Sequence, residues 1–224
     1  MKLSLVVPVY DEAATVSAAL DALLALPLDK ELVIVESGST DGSAERVDAY
    51  RLRPGVTIVH EDSARGKGAA VRKGLALVSG DVVAVHDADL EYSASEYPRL
   101  LEPLARGEAD VVLGSRALGP KGFRYRGRLG LDLGAAAATT LFNARFGTRL
   151  TDGATMFKVF RRAALEGLPP LGDHFEYDWQ LLAHCARRKA RFAELAVAYA
   201  PRVEGKKIRL WRDAPRVLSA ILRG

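Results

Sequence analysis

Short apolar runs alternate with stretches of helical spacing through the first half of the chain, and this alternation limits the fold more than any other feature. The apolar runs lie at Leu3–Val9, Leu32–Val35, Val56–Val59, Val82–His86 and Asp110–Leu113. The helical stretches between them lie at Ala13–Leu26, Gly42–Arg51, Ala69–Val78 and Ser95–Leu104. Continuous apolar strands separated by helices are typical of a mostly parallel sheet with helices on both faces. The pattern therefore predicts a Rossmann-like α/β fold.

The second half is less regular, but it continues the same kind of structure. We predict helices at Leu129–Phe146 and Tyr177–Ala186, and strands at Met156–Phe160 and Phe192–Ala198. Asp41 is the predicted N-cap of the helix at Gly42–Arg51, because an aspartate side chain accepts a hydrogen bond from the first helical turn.

Charge is distributed unevenly along the 224 residues. Residues 1–115 hold 11 basic and 19 acidic side chains, whereas residues 116–224 hold 21 basic and 9 acidic ones. This asymmetry indicates that the second half meets an anionic partner. Nucleic acid is disfavoured, because only Phe123 and Tyr125 interleave with the basic residues as stacking aromatics.

The C-terminal segment 206–224 is basic and mixes apolar residues with arginines at helical spacing. Such a segment predicts an amphipathic helix, and two placements stay open for it. The helix lies on an anionic membrane surface, or it docks on the domain through its apolar face. The packing of that face in a structure separates the two.

Cysteine and hydropathy exclude several classes of protein. A single cysteine, Cys185, rules out an intramolecular disulfide and a cysteine-rich zinc site. No apolar run approaches the roughly 18 residues that a membrane span needs. We therefore expect a cytoplasmic protein, with a peripheral position at the inner face of the membrane left open.

Polar and glycine-rich segments follow each predicted strand of the first half, and ligands of such sheets bind at the carboxyl ends of the strands. The segments are Pro8–Glu12, Glu36–Asp41, Arg65–Gly68, Asp87–Glu91 and Gly114–Arg116. The predicted topology brings all five to one edge of the sheet, where we expect the functional site.

Within these segments, Asp87 and Asp89 carry the strongest chemical signal. Two carboxylates at positions i and i+2 can share a hard divalent cation, and Glu91 continues the alternation. The alternative is a pair of turn-capping aspartates. Lys67 can hold an anion at a helix N-terminus or be a solvated lysine. Glu36 can accept hydrogen bonds from a nucleoside or be a surface carboxylate.

Taken in order, these motifs resemble those of family-2 glycosyltransferases, and most closely the polyprenyl-phosphate mannose and glucose synthase branch. The resemblance covers about residues 3–210 and implies a GT-A fold. It implies transfer of a sugar from a UDP- or GDP-sugar with inversion, assisted by Mg²⁺ or Mn²⁺. It also implies one catalytic domain at 1–205, with a nucleotide-sugar half at 1–115 and an acceptor half at 116–205.

The resemblance also assigns roles to residues on the donor side. Pro8, Tyr10 and Glu12 would line the nucleoside pocket. Glu36 would stand where the family has an aspartate that contacts the nucleobase, and Lys67 would lie near the nucleotide. Asp87 and Asp89 would be the metal-binding DXD pair, with Glu91 as a further metal ligand. These residues are carried over by position in the motifs, and Ser37 departs from the usual second aspartate.

On the acceptor side, Arg116 and Arg128 match positions that hold a lipid phosphate, while Arg202 and Lys207 match a loop that closes over the donor diphosphate.

If the acceptor is a hydroxyl, a carboxylate must take its proton. Asp152 is the first candidate for that role and Asp178 the second. A phosphate-bearing lipid and a saccharide both stay open as acceptors, because Asp132 stands where the synthases have a phosphate-binding serine.

Two other functions compete with this interpretation. Phosphatases of the haloacid-dehalogenase kind also use a strand-ending Asp-x-Asp pair with Mg²⁺, but there the pair follows the first core strand. Here it follows the fourth, and Glu91 stands where those enzymes have Thr or Val. A non-catalytic binder of sugar nucleotides is the second alternative, for which Ser37 is the motive.

Overall fold

The computed structural model describes residues 1–119, 129–201 and 210–223, and within them a seven-stranded sheet forms the centre. The strands are β1 (Leu3–Val9), β2 (Lys30–Glu36), β3 (Val56–His60), β4 (Val82–Val85), β5 (Val111–Ser115), β6 (Lys158–Arg161) and β7 (Phe192–Ala196). The α-helices are α1 (Val16–Leu24), α2 (Ser43–Asp48), α3 (Lys67–Leu75), α4 (Tyr97–Ala105), α5 (Leu129–Phe146), α6 (Glu176–Arg187) and α7 (Leu210–Arg223). Short 3₁₀ turns lie at Ala94–Glu96 and Arg162–Leu165.

The strand order is β3-β2-β1-β4-β6-β5-β7, and all neighbours pair in parallel except β6. β6 runs antiparallel to both β4 and β5, so β5 points the same way as β4. The prediction of a mostly parallel sheet is therefore confirmed. The carboxyl ends of β1 to β5 and β7 lie along one edge.

Two hydrophobic cores lie on the two faces of the sheet, because side chains alternate along each strand. Leu5 and Val7 of β1 point to the same face of the sheet and pack in the core with α1 and α4. Val6 packs in the other core, with side chains from α3, α5, α6 and α7. Helices thus cover both faces, as the sequence predicts.

Helix boundaries are where structure and sequence prediction differ. The helix predicted from Gly42 begins at Ser43, and Gly42 itself is the N-cap, with a left-handed φ of 92°. The prediction of Asp41 as N-cap is therefore wrong. Asp41 precedes the N-cap by one residue, and its carboxylate still accepts a hydrogen bond from the Ser43 N–H at 3.0 Å.

No helix of the described segments is both long and apolar enough to pass through a lipid bilayer.

Candidate active site

The order of strands creates a crevice at the carboxyl edge of the sheet. From β1 the chain adds β2 and β3 on one side and then returns to place β4 on the other. In open α/β sheets, ligands bind at such a switch in strand order, outside the carboxyl ends. The segment of Tyr10 and Glu12 follows β1, and the segment of Asp87 and Asp89 follows β4. The segment predicted to line the nucleoside pocket and the segment predicted to bind the metal therefore lie at one crevice.

Hydrogen bonds fix the segment after β1 to the segment after β2. The Asp11 N–H donates to Ser39 Oγ at 3.0 Å, and the Glu12 N–H donates to Ser43 Oγ at 2.8 Å. In return, the Thr40 N–H donates to Asp11 Oδ1 at 2.9 Å. These bonds hold Glu12 in place beside an exposed Tyr10, while Pro8 stays within β1 itself.

Glu36 has partners other than those expected of a residue that reads a base. The residue is only 2% exposed, and its carboxylate accepts hydrogen bonds from the N–H groups of Gly38 and Ser39 at 3.3 and 2.7 Å. It also contacts His60 Nδ1 at 3.2 Å. Burial opposes ionisation, but hydrogen bonds from Ser39 and His60 outweigh it and lower the pKa of Glu36. Glu36 thus shapes the loop from within.

The glycines around Lys67 are required by close packing of two loops. Gly66 has a φ of 129°, which side chains rarely adopt. A Cβ at Gly66 would overlap the carbonyl oxygen of Asp173, and one at Gly68 would overlap that of Gly172. The start of α3 therefore lies directly against the segment that leads into α6, and Lys67 is held at a fixed place.

Lys67 and Asp87 form an ion pair across the crevice, with Nζ 2.5 Å from Oδ1. Both side chains are largely shielded from solvent, which strengthens their attraction. Lys67 Nζ also lies 5.9 Å from the centre of the Phe175 ring. The pair shows that the position next to Asp87 suits a cation.

Asp89 and Glu91 are oriented by the loop that follows β4. The Glu91 N–H donates to Asp89 Oδ1 at 3.0 Å, while Leu90 between them has a left-handed φ of 60°. The Glu91 carboxylate accepts a hydrogen bond from Tyr199 Oη at 2.8 Å. The Glu91 N–H bond is the turn-capping contact of the alternative interpretation, and the Asp89 carboxylate is still partly exposed.

The three proposed metal ligands do not form a ready-made cluster. Among the described residues, no group of three Asp, Glu, His or Cys side chains is arranged to hold a metal ion. The chemistry of Asp87 and Asp89 nevertheless fits Mg²⁺ or Mn²⁺, because Mg²⁺ takes one or two carboxylates and completes its shell with substrate phosphates and water. In this arrangement Lys67 Nζ contacts Oδ1 of Asp87.

Arg116 and Asp152 form a buried ion pair at the end of β5. The Arg116 Nε donates to Asp152 Oδ2 at 2.7 Å, and its Nη2 donates to Oδ1 at 2.8 Å. The Arg116 backbone N–H adds a third bond to Oδ2 at 3.1 Å. Both carboxylate oxygens of Asp152 are therefore engaged, which makes it poorly suited to accept a substrate proton.

Asp178 is buried at the start of α6, not solvated, and its Oδ2 lies 2.5 Å from Lys158 Nζ. Burial raises the pKa of Asp178, against the attraction of Lys158. The charges of Lys67 and Asp87 also act on this pKa in opposite directions, so Asp178 lies within electrostatic range of the crevice. A carboxyl with a raised pKa is a better proton acceptor than an ordinary aspartate.

A cavity of about 410 Å³ adjoins the acidic loop. Ala19 and Ala22 of α1 line one side, and Leu90, Tyr92 and Tyr199 line much of the rest. Arg116 and Glu91 contribute polar atoms to the walls. The loop of Leu90 and Glu91 thus borders a mostly apolar space.

Three predicted site residues, Arg128, Arg202 and Lys207, lie outside the described residues. Two residues that the structure brings to the site, Lys158 and Tyr199, were missed by the sequence prediction. Lys158 stands in the predicted strand at Met156–Phe160, and a lysine in a buried strand is the signal that could have identified it. Nothing local marks Tyr199, which meets Glu91 from 108 residues away.

His60 links Glu36 to α2 and makes a pH dependence of stability testable. Its Nε2 lies 3.0 Å from Asp48 Oδ1, which also pairs with Arg51. Burial lowers the pKa of His60, but its hydrogen bonds to the Asp48 and Glu36 carboxylates raise it overall. A raised folded-state pKa gives stability that is present below the unfolded value of about 6.5 and lost as pH rises through the folded value.

We therefore expect His60→Gln to lower the free energy of unfolding more at about pH 5.5–6 than at about pH 8.5. These conditions lie below and above the ordinary histidine pKa of about 6.5. Urea unfolding across this range measures it. A difference that stays constant with pH would show that His60 acts only as a neutral hydrogen-bonding group.

Comparison with known proteins gives one family. The model of the family described as "Glycosyl transferase family 2" matches residues 4–168. An undecaprenyl-phosphate 4-deoxy-4-formamido-L-arabinose transferase of Pseudomonas aeruginosa is 32% identical over 91% of this chain and 59% of its own length. A dodecaprenyl-phosphate galacturonate synthase of Rhizobium johnstonii is 26% identical over 92% of this chain and 61% of its own length. The chain thus spans about three-fifths of these two relatives.

A solved structure has a similar fold over nearly the whole chain. Glucosyl-3-phosphoglycerate synthase from Mycobacterium tuberculosis, crystallised with Mn²⁺, UDP and glucosyl-3-phosphoglycerate, superposes with a TM-score of 0.76 and 25% identity. The match covers 99% of this chain and 79% of that protein. The similarity therefore includes both the strands of the first half and the elements that follow them.

Proposed function

Because the chain belongs to glycosyl transferase family 2 and has the GT-A fold, we propose that it transfers a sugar from a nucleotide-diphosphate sugar to an acceptor, with inversion. The observation that carries this proposal is the position of Asp87 and Asp89. They follow β4 at the switch in strand order, and Asp87 already holds a cationic group at 2.5 Å. A family with this fold and this pair of carboxylates fits a diphosphate-bearing substrate.

On the donor side, we propose that Pro8, Tyr10 and Glu12 line the nucleoside pocket. The hydrogen bonds between the segments after β1 and β2 support this, because they pre-form the wall on which Tyr10 is exposed. We propose that Glu36 contributes indirectly, by holding the Gly38–Ser39 loop in shape.

Asp87 and Asp89 would hold Mg²⁺ or Mn²⁺, and Glu91 would stay with Tyr199 or join them. When bound, the ion would neutralise charge on the leaving diphosphate. Lys67, once it leaves Asp87, would bind the same diphosphate through its positive charge. Arg202 and Lys207 remain proposed partners of that group.

For the acceptor, we propose either a phosphate-bearing lipid or a saccharide. The names of the two relatives, both prenyl-phosphate enzymes, support the lipid. Arg116 would serve such a phosphate only in competition with Asp152, which already occupies it, so Arg128 remains the other proposed contact. If the acceptor is a hydroxyl, we assign Asp178 rather than Asp152 as the base, because Asp152 is bound through both oxygens.

The competing phosphatase interpretation does not survive the comparisons, since the chain belongs to glycosyl transferase family 2. The catalytic domain at 1–205 and a cytoplasmic location remain part of our proposal.

A thermal-shift panel of UDP-, GDP- and other nucleotide sugars, with and without Mn²⁺, tests the proposal. A ligand at about 100 times its dissociation constant adds about 2.7 kcal/mol of stability, which corresponds to a rise in melting temperature of about 5–10 °C for a chain of this size. We expect one nucleotide sugar to give such a shift only with Mn²⁺. The absence of a shift with every nucleotide sugar would refute the proposed donor.

A further inference from the structure

The helix α7 presents three different faces, and the first of them is docked on the protein. Asp213, Ala220 and Ile221 are buried, and Val217 packs beside them. Ile221 lies in the same core as Phe142 of α5 and residues of α6. The helix therefore docks on the domain, which is one of the two placements that the sequence left open.

The second face of α7 is apolar and exposed, and we name it the α7 ridge: Trp211, Pro215, Leu218 and Leu222. These positions are i, i+4, i+7 and i+11, so they fall on one side of a helix. Trp211 is 77% exposed, Leu218 46% and Leu222 51%. The ridge therefore extends along almost the whole helix, away from the docked face.

The third face carries the arginines Arg212, Arg216 and Arg223, between the α7 ridge and the docked face. At 100° per residue these three lie within about 40° of one another and about 110° from the centre of the ridge. Arg212 and Arg216 are 3.0 and 3.9 Å from Asp213, the only acidic residue between Trp211 and Arg223. Since Asp213 is buried, the exposed surface of this helix is apolar and basic.

We propose that the α7 ridge inserts into the surface of an anionic lipid membrane, with the arginine row at the level of the headgroups. An apolar stripe beside arginines, with a tryptophan that has both an apolar ring and a polar N–H, fits that interface. A second copy of the chain fits less well. Two-fold contact through the same patch would bring two basic helices together, and the buried Asp213 of each helix already pairs with its own Arg212 and Arg216.

Membrane contact by α7 does not depend on the proposed sugar transfer. A helix fixed to the membrane would hold the crevice of the same domain near a lipid-borne acceptor. Nucleotide binding and lipid binding are measured separately, so failure of one is distinguishable from failure of the other.

Vesicle flotation and tryptophan fluorescence of the full chain test the proposal. The chain has two tryptophans, and Trp179 is buried, so lipid contact should act mainly on the emission of Trp211. We expect flotation and a blue shift with vesicles of phosphatidylcholine and phosphatidylglycerol, weakened by high salt. Vesicles of phosphatidylcholine alone should bind much less, and a Trp211→Phe variant should show no blue shift.

A Leu218→Ser/Leu222→Ser variant should bind anionic vesicles at least about tenfold more weakly, because two inserted leucines are lost. Both positions are exposed, so the fold should persist, as an unchanged melting temperature would show. Leu52→Ser is the matched control, since Leu52 is 95% exposed and lies in the loop before β3. Equal flotation of the double variant, or no flotation of the wild type, would overturn the proposal. So would a lipid-free dimer that the double variant abolishes, which would assign the ridge to a second copy.

Discussion

An Asp89→Asn variant is expected to bind a nucleotide diphosphate with Mn²⁺ at least about 100-fold more weakly than the wild type, a loss of about 2.7 kcal/mol. One of two proposed carboxylate ligands becomes a neutral amide, which is a much weaker ligand for a hard cation. The amide oxygen can still accept the Glu91 N–H, so the turn after β4 should be retained. Isothermal titration with UDP and Mn²⁺ measures the affinity.

Asp29→Asn is the matched control for that variant. Asp29 is an exposed aspartate just before β2, at the opposite edge of the sheet from the crevice. Its substitution should leave the affinity unchanged. Wild-type affinity in the Asp89→Asn variant would show that the aspartate serves only the turn.

An Asp152→Asn variant is expected to lose about 3–5 kcal/mol of stability, because it removes the carboxylate charge that pairs with the buried Arg116 guanidinium. An Arg116→Leu/Asp152→Leu variant, which removes both charges, should recover much of that loss. Urea unfolding of the single and double variants measures both effects. The comparison separates a structural carboxylate from one that takes a proton from the acceptor.

The result that would contradict this assignment is a single variant of wild-type stability that has lost transfer. Asp152 would then act on the substrate, as the sequence predicts. In that case Asp178, whose pKa is raised by burial, should tolerate substitution without loss of transfer to a hydroxyl acceptor.

The fold and the location of the site follow from the sequence because both depend on local pattern. Apolar runs predict strands, and the polar residues just after them, such as Asp87 and Asp89, are brought to one edge by parallel pairing. The antiparallel direction of β6 is not predictable in this way, because it depends on a connection through α5 and residues far from its neighbours.

The partners of the predicted side chains could not be predicted either, because they also come from distant parts of the chain. Glu36 ends a strand, but only the structure shows its carboxylate turned into its own loop. Ser37, which departs from the usual aspartate, donates a hydrogen bond to Glu61 Oε2 at 2.9 Å, 24 residues away. Asp152 likewise meets Arg116 across 36 residues. Strand-end position predicts where a residue lies, whereas its ionic partners depend on the whole fold.

The central claim is that Asp87 and Asp89 hold a divalent cation that binds the donor's diphosphate. The most direct test is an anomalous difference map from crystals grown with Mn²⁺ and UDP. The account predicts a manganese peak at about 2.0–2.2 Å from carboxylate oxygens of both aspartates, with Lys67 moved from Asp87 to the diphosphate. Bound UDP with the Lys67–Asp87 pair intact and no peak at either aspartate would contradict it.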